Sequence, residues 1–265
     1  MNARTARPAG YGIRCARPGE AGAIAALLAR AFAEDAVMAW MFPDAGGDAD
    51  ADAIADGDAG GRARGTARFF ALLQRQQRPR AGAVRVAATS GGQLLAAALW
   101  SGPGRWQPSA ARELATMPRY AYVFGVRGLA RAAGVQNALH DAHPDTPHWY
   151  LPTLGSGPPG PAPGGRAARG GGPRAPPAPP APPPPRGTDP RFQGTGVGSA
   201  LVREQLAHCD RLGQPAYLES SMISNIPFYE GLGFRVTGEI RLPDGGPTLW
   251  PMWRDADADA GPRRR

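Results

Sequence analysis

Lysine is absent from this chain of 265 residues, and all 30 of its basic side chains are arginine. A phosphate-binding P-loop needs a lysine directly after its glycines, so the sequence excludes that class of nucleotide-binding protein. The chain also lacks an apolar run long enough to cross a membrane. No apolar stretch typical of a secretory signal follows its first basic residues. These absences predict a cytoplasmic protein that has no membrane partner.

Cysteine is scarce as well, because Cys15 and Cys209 are the only two in the sequence. Two thiols so far apart have no metal-ligand spacing and form no disulfide framework, so the sequence predicts no metal centre. We expect both to be free thiols, buried or half-buried, in a reducing compartment.

The net charge of +8 raises the question of nucleic-acid binding. A protein that contacts phosphate backbones carries its positive charge on a folded face. Nine arginines, however, lie in three segments without acidic residues, and the rest of the chain has 21 basic against 22 acidic side chains. The charge distribution therefore disfavours a nucleic-acid partner. The nine are Arg4, Arg7, Arg166, Arg169, Arg174, Arg186 and Arg263 to Arg265.

One segment differs sharply in composition from the rest, because residues 156–188 contain 13 prolines and 8 glycines without a large apolar side chain. Such a segment buries too little apolar surface to offset its ordering entropy, which predicts a disordered insertion. Its proline-rich part could instead dock into an aromatic groove of a partner, although a tolerated surface insertion is the simpler interpretation. We predict a single domain over residues 11–254, with an acidic loop at 44–61 and flexible tails at 1–10 and 255–265.

Helical and strand periodicities alternate along the remainder, which predicts a mixed α/β domain around one central sheet. Gly213 follows the most regular amphipathic helix, where a glycine commonly ends a helix. The predicted helices are Gly19–Phe32, Ala67–Gln77, Ser109–Leu139 with an interruption at Pro118, Gly196–Leu212 and Pro227–Glu230. The predicted strands are Tyr11–Cys15, Ala83–Ala88, Gln93–Trp100, Trp149–Leu154, Ala216–Glu219, Phe234–Ile240 and Pro247–Trp253.

A glycine-rich sequence, QGTGVG, opens the helix after the proline-rich segment, from Gln193 to Gly198. Glycines leave backbone N–H groups accessible, and a helix N-terminus favours a bound phosphate. A dinucleotide-binding turn has the spacing GxGxxG, which this sequence does not match. On its own the motif also suits tight helix packing.

A second motif, NIPFYEGLGF, runs from Asn225 to Phe234 after the strand sequence PAYLESS. Together with Gln193-x-x-Gly196-x-Gly198, it resembles the two cofactor motifs of the GNAT superfamily of N-acetyltransferases. The resemblance is closest to the puromycin N-acetyltransferase branch and covers the last part of the chain.

The resemblance implies a GNAT-type fold, with a mostly antiparallel sheet that splays at the cofactor site and is flanked by helices. It implies transfer of an acetyl group from acetyl-CoA to an amine of a small molecule. Tyr229 would protonate the departing thiolate. Glu219, at the end of its strand, could be the general base, directly or through water. The cofactor contacts would be Thr153, Leu154, Gln193, Gly194, Thr195, Gly196, Val197, Gly198 and Asn225, and the acceptor contacts Glu34 and Asp35.

Each of these side chains also has a plainer interpretation. Tyr229 could be a packing aromatic, and Glu219 could cap the turn that follows its strand. Glu34 and Asp35 could be solvated acids, and His148 is expected at the surface. For the whole protein, the alternative is a non-catalytic module that binds or senses acyl-CoA and reaches a partner through its proline-rich loop.

Overall fold

The computed structural model describes residues 10–42, 60–77, 83–157 and 196–257, which form eight strands and six α-helices. The strands are β1 Tyr11–Cys15, β2 Val84–Thr89, β3 Leu94–Ser101, β4 Trp149–Ser156, β5 Ala216–Ser220, β6 Arg235–Val236, β7 Ile240–Arg241 and β8 Thr248–Arg254. The helices are α1 Ala21–Ala31, α2 Ala36–Met41, α3 Gly60–Gln77, α4 Ala110–Ala142, α5 Val197–Arg211 and α6 Ile226–Glu230. A 3-10 turn, Ile223–Asn225, leads into α6.

The strands form one sheet in the order β1-β2-β3-β4-β5-β8-β6, with β7 paired to β8. Every pairing is antiparallel except that of β4 with β5, which is parallel. The expectation of a mixed α/β fold with a mostly antiparallel sheet is therefore confirmed.

Helices cover both faces of the sheet, and the burial of β3 shows this arrangement. All eight residues of β3 are buried, and from Ala96 to Trp100 its side chains alternate between two hydrophobic clusters. Ala97 and Leu99 pack with α1, α2 and α3, whereas Ala98 and Trp100 pack with α5. A strand buried on both faces requires apolar residues at every position, which explains its continuous apolar sequence.

The two helices nearest the sheet have the periodicity that the sequence predicts. Apolar residues of α1 and α5 recur every three or four positions on the side that faces the sheet. In α5 these include Leu201, Val202 and Leu206. Gly213 follows α5 with φ +64°, a conformation that glycine adopts without steric penalty.

Four elements differ clearly from the sequence-based expectation. The long helix α4 continues through Pro118, and its non-helical residue is Gly125, at φ 64° and ψ 179°. The predicted strand Phe234–Ile240 is divided into β6 and β7, because Pro251 on β8 has no N–H to complete the ladder opposite them. The short helix α2 was not predicted, and α3 begins seven residues before Ala67.

The two cysteines are both free, but their burial differs. Cys209 is buried in α5, and burial raises the pKa of its thiol to about 12. Cys15 is exposed, so the expectation of a buried or half-buried thiol is wrong for that residue. Among the described residues, no helix combines the length and apolarity needed to cross a membrane.

The contact between α1 and β4 leaves no space beside Gly155, which gives a test of the packing. A Cβ at Gly155 would lie 2.7 Å from Leu28 Cδ2 and 3.0 Å from Ala31 Cβ, both on α1. We therefore expect Gly155→Ala to lower the free energy of unfolding by about 1–3 kcal/mol, measured by urea denaturation. Gly12→Ala on β1 is the matched control, because its Cβ would have no neighbour within 4 Å. Equal effects of the two substitutions would contradict the packing described.

Candidate active site

The parallel pairing of β4 with β5 ends soon after it begins. It joins Trp149 to Ala216 and Tyr150 to Tyr217, and no later pair follows. The cause lies in β4, where Leu151 and Pro152 together face the single residue Trp100 between the pairs Tyr150–Ser101 and Thr153–Leu99. Such a bulge bends a strand, and Pro152 has no N–H for either neighbour. The two strands therefore splay apart as predicted, and Thr153 and Leu154 lie beyond their last pair.

A cavity of about 840 Å³ opens at this splay and extends between the sheet and helices α2, α3 and α4. Its walls combine polar groups from the strand ends with aromatic and aliphatic side chains from the helices. The structure thus brings six of the predicted site residues to one cavity. These six are Asp35, Thr153, Leu154, Glu219, Asn225 and Tyr229.

Tyr229 lies on α6, and its side chain is half-buried at the cavity wall. Its ring contacts Phe228 and Phe234 edge-on, at centroid distances of 5.0 and 6.1 Å. Burial raises the pKa of the Tyr229 hydroxyl, and the negative charge of Asp35 raises it further. The phenol therefore keeps its proton at neutral pH, as a proton donor must.

Asn225 ends the 3-10 turn and precedes α6, whose first turn also contains Pro227. It is the N-cap residue of α6, but its side chain makes no capping hydrogen bond. The amide of this half-buried residue instead borders the cavity, as the predicted contact to a cofactor arm requires.

Asp35 is the N-cap of α2, and its side chain is buried. Oδ1 accepts hydrogen bonds from the N–H groups of Val37 and Met38, both at 3.0 Å, and Oδ2 accepts one from the hydroxyl of Ser221. Burial raises the pKa of Asp35, although these three hydrogen bonds act in the opposite direction. The interpretation of Asp35 as a solvated acid is wrong. Glu34 is exposed and lies outside the cavity lining.

Glu219 is on β5, and only 5% of its side chain is exposed. Its Oε1 lies 3.8 Å from Nδ1 of His143, and its negative charge contributes to the raised pKa values of Tyr150 and Tyr217, for which burial is the main cause. The next 3-10 turn has no side-chain cap, so Glu219 does not have the capping role considered above.

The surroundings of Glu219 include two histidines whose importance the sequence analysis missed. His143 and His148 are both buried, so the expectation of a surface position for His148 is wrong. Their hydrogen bonds explain the burial, because His148 Nδ1 lies 2.6 Å from the carbonyl oxygen of Thr146 and its Nε2 lies 3.0 Å from His143 Nε2. The close spacing of histidines in HDAHPDTPHW, directly before β4, was the available sequence signal.

The predicted phosphate site at the start of α5 is described in part. Gly196 is exposed with φ 71°, in the left-handed conformation, and it gives α5 no side-chain cap. The first N–H groups of this 15-residue helix, from Val197 onward, have no partner within the helix, as a phosphate-binding N-terminus requires. A Cβ at Gly198 would lie 3.8 Å from Phe228 Cζ. Gln193, Gly194 and Thr195 lie outside the described residues, as does most of the proline-rich segment.

Comparison with known proteins agrees with this architecture. Residues 188–253 match the family model for the acetyltransferase (GNAT) domain. The chain is similar to the "histone acetyltransferase HPA2 and related acetyltransferase" of Corynebacterium glutamicum, at 22% identity, 96% coverage of this chain, 99% of that chain and a TM-score of 0.57. It is also similar to an agmatine N-acetyltransferase, at 15% identity, 93% coverage of this chain, 99% of that chain and a TM-score of 0.51. The two structures show a GNAT fold, and with the domain match they support an N-acetyltransferase enzyme.

The hydrogen bond from Ser221 to Asp35 predicts a pH-dependent stability. A raised pKa in the folded state means that stability is lost as pH rises through that pKa, because the ionised carboxylate is costly to bury. Ser221 offsets part of this cost only when Asp35 is ionised. We expect Ser221→Ala to lower the free energy of unfolding by about 1.5–3 kcal/mol at neutral pH, and by less at acid pH where Asp35 is protonated.

Urea unfolding followed by tryptophan fluorescence at both pH values measures this difference. Ser109→Ala is the matched control, because Ser109 is exposed and its side chain makes no capping hydrogen bond. A cost for Ser221→Ala that does not change with pH would show that the hydroxyl does not stabilise the ionised carboxylate.

Proposed function

We propose that this protein transfers the acetyl group of acetyl-CoA to the amine of a small molecule. One observation carries the proposal: a single cavity at the β4–β5 splay brings together a protonated phenol, Tyr229, and a buried carboxylate, Glu219. Acetyl transfer to an amine needs a base for the ammonium proton and an acid for the leaving thiolate. The GNAT domain match supports acetyl-CoA as the donor, since GNAT acetyltransferases generally use it.

The described residues fit such a donor. An extended pantetheine arm would lie along β4 beyond Tyr150, where the strand edge that faced β5 is no longer paired. Thr153 and Leu154 would contact the arm there, and so would Asn225, which lines the same cavity. The uncapped N-terminus of α5 would hold the pyrophosphate through Gly196, Val197 and Gly198, continued by Gln193, Gly194 and Thr195.

Acetyl-CoA supplies an activated thioester, so the protein needs no covalent intermediate of its own. Its tasks are to orient the two reactants and to move protons. Glu219 takes a proton from the acceptor's ammonium group, so that the nitrogen lone pair can attack. The Tyr229 hydroxyl gives its proton to the departing sulfur, and backbone N–H groups at the splay stabilise the negative charge on the carbonyl oxygen. The second proton, which the nitrogen loses as the amide forms, restores the Tyr229 hydroxyl.

The acceptor side of the cavity indicates an amine with an apolar body. Aromatic rings from α3 and α4 line it, including Phe69, Phe70, Tyr120 and Phe124, while Asp35 supplies one negative charge. An aminonucleoside antibiotic is one candidate, given the motif resemblance to puromycin N-acetyltransferases. Another protein of the same fold is named an agmatine N-acetyltransferase, so this fold serves a small amine elsewhere.

Replacement of Tyr229 by Phe tests the enzyme against a non-catalytic acyl-CoA-binding module. Calorimetric titration should give a micromolar Kd for acetyl-CoA, about −8 kcal/mol, with both the wild type and Tyr229→Phe. With a panel of aryl-substituted amines, we expect kcat to fall about 100-fold or more, because the leaving thiolate loses its proton donor.

Tyr122→Phe is the matched control, because 72% of Tyr122 is exposed. Binding of acetyl-CoA without acetyl transfer to any amine of the panel would favour the non-catalytic alternative. Absence of binding would contradict both functions.

A further inference from the structure

Three buried side chains, Glu219, His143 and His148, form a connected row. Glu219 Oε1 lies 3.8 Å from His143 Nδ1, and the two side chains are 5% and 2% exposed. His143 Nε2 lies 3.0 Å from His148 Nε2, and His148 Nδ1 lies 2.6 Å from the carbonyl oxygen of Thr146. The row thus ends on a backbone group that cannot change its protonation state.

That carbonyl group fixes the protons along the row. A carbonyl oxygen only accepts hydrogen bonds, so His148 Nδ1 must carry a hydrogen atom. Burial lowers the pKa of His148, which keeps the ring neutral and leaves a lone pair on Nε2. This lone pair accepts the Nε2–H of His143. In a neutral His143, the bare nitrogen is therefore Nδ1, the atom that faces Glu219.

The atoms of this contact lack other hydrogen bonds among the described residues, although the Glu219 carboxylate also interacts with the nearby phenols of Tyr150 and Tyr217. Within the described parts of the chain, His143 Nδ1 and Glu219 Oε1 are both buried without a hydrogen bond. Two bare acceptors at 3.8 Å repel each other in a medium of low dielectric constant. A proton bound between Nδ1 of His143 and Oε1 of Glu219 removes this repulsion. A proton that Glu219 takes up is therefore shared with His143.

The other groups around His143 hold its ring in this orientation. Trp106 stacks on it at 3.6 Å, and Tyr150 and Tyr217 contact it edge-on at 5.0 and 5.1 Å. Burial raises the pKa of both phenols, so they remain neutral. His143 also borders a second cavity of about 520 Å³, whose wall includes the titratable residues His140, Asp141 and Asp145. His143 therefore contacts Glu219 and also borders the polar second cavity.

We propose that His143 is the proton acceptor behind Glu219, and that His148 is a positioning residue that keeps Nδ1 of His143 free for this purpose. The proposal rests on the proposed acetyl transfer. An N–H bond of the acceptor's ammonium breaks as an O–H bond forms on Glu219. That O–H bond then breaks as an N–H bond forms at His143 Nδ1. After the acetylated product leaves, the imidazolium returns the proton to Glu219, and the carboxyl group releases it to water in the cavity that Glu219 lines, which restores the starting state.

The protonation pattern can be tested without any substrate. Long-range proton–nitrogen correlation spectra of the ¹⁵N-histidine-labelled protein report the tautomer of each of its 4 histidines. We expect a hydrogen on Nδ1 of His148 and on Nε2 of His143. His148→Phe removes the acceptor of the Nε2–H, so the hydrogen of His143 should move to Nδ1. A wild-type His143 that already carries its only hydrogen on Nδ1 would overturn the proposal.

The kinetic test compares pH profiles of kcat/KM for the wild type and His143→Gln. Glutamine keeps an N–H for His148 but has no counterpart of Nδ1. We expect kcat to fall at least about tenfold, and the acid limb to move to lower pH, because a proton on Glu219 alone has no second acceptor. KM for acetyl-CoA should not change.

The matched control is His208→Gln on α5, which should keep the wild-type profile. Thermal denaturation midpoints check that each variant is folded. A lower kcat with the acid limb unmoved would assign His143 a structural role only and overturn the proposal. A wild-type protein that binds acetyl-CoA but acetylates no amine would contradict the proposed function instead, and the tautomer of His143 would still test the row.

Discussion

The bend of β4 at Leu151 and Pro152 is the constraint on which the candidate site depends. Opposite the single residue Trp100, β4 has one residue too many, and the proline lacks an N–H for the ladder. β3 keeps β4 in the sheet on one side, so the strand can only turn away from β5 on the other. The gap that results exposes backbone groups of β4 to a cavity instead of to a neighbouring strand. A regular parallel pair would leave no space for an acyl donor.

The hydrogen bond between Ser221 and Asp35 connects the end of β5 to α2 beside that gap. Ser221 directly follows β5, Asp35 is the N-cap of α2, and both line the cavity. Because Asp35 also accepts two N–H groups of α2, the position of the helix and that of the strand end are coupled through one carboxylate. The strand that carries Glu219 is thereby fixed relative to α2, another wall of the cavity. The cost is a buried charge, which the protein retains close to Tyr229.

Sequence patterns predicted the helices and strands whose conformation follows from the periodicity of their own residues. α1, α5 and β3 have clear apolar periodicities, and the motif around Tyr229 and Asn225 indicated which residues meet at the cavity. The patterns did not predict features that depend on residues far away in the sequence. Nothing local in AVMAWM indicates that Asp35 caps a helix and bonds Ser221, which lies 186 residues later. His148 is buried only because His143 and Thr146 satisfy its nitrogens, and α4 bends at Gly125 because a glycine there is less restricted than Pro118.

The two groups to which we assign proton transfer, Tyr229 and Glu219, differ in their surroundings as well as in residue type. Tyr229 has a hydrophobic environment and a nearby negative charge, and both raise its pKa and preserve its proton. Glu219 faces an imidazole nitrogen and two neutral phenols. In the proposed mechanism, Tyr229 retains its proton until sulfur departs, while Glu219 passes the proton that it gains to His143. In this mechanism, the groups that line the cavity determine the direction of proton transfer. Removal of His143 would slow the return of Glu219 to its carboxylate form without changing Tyr229.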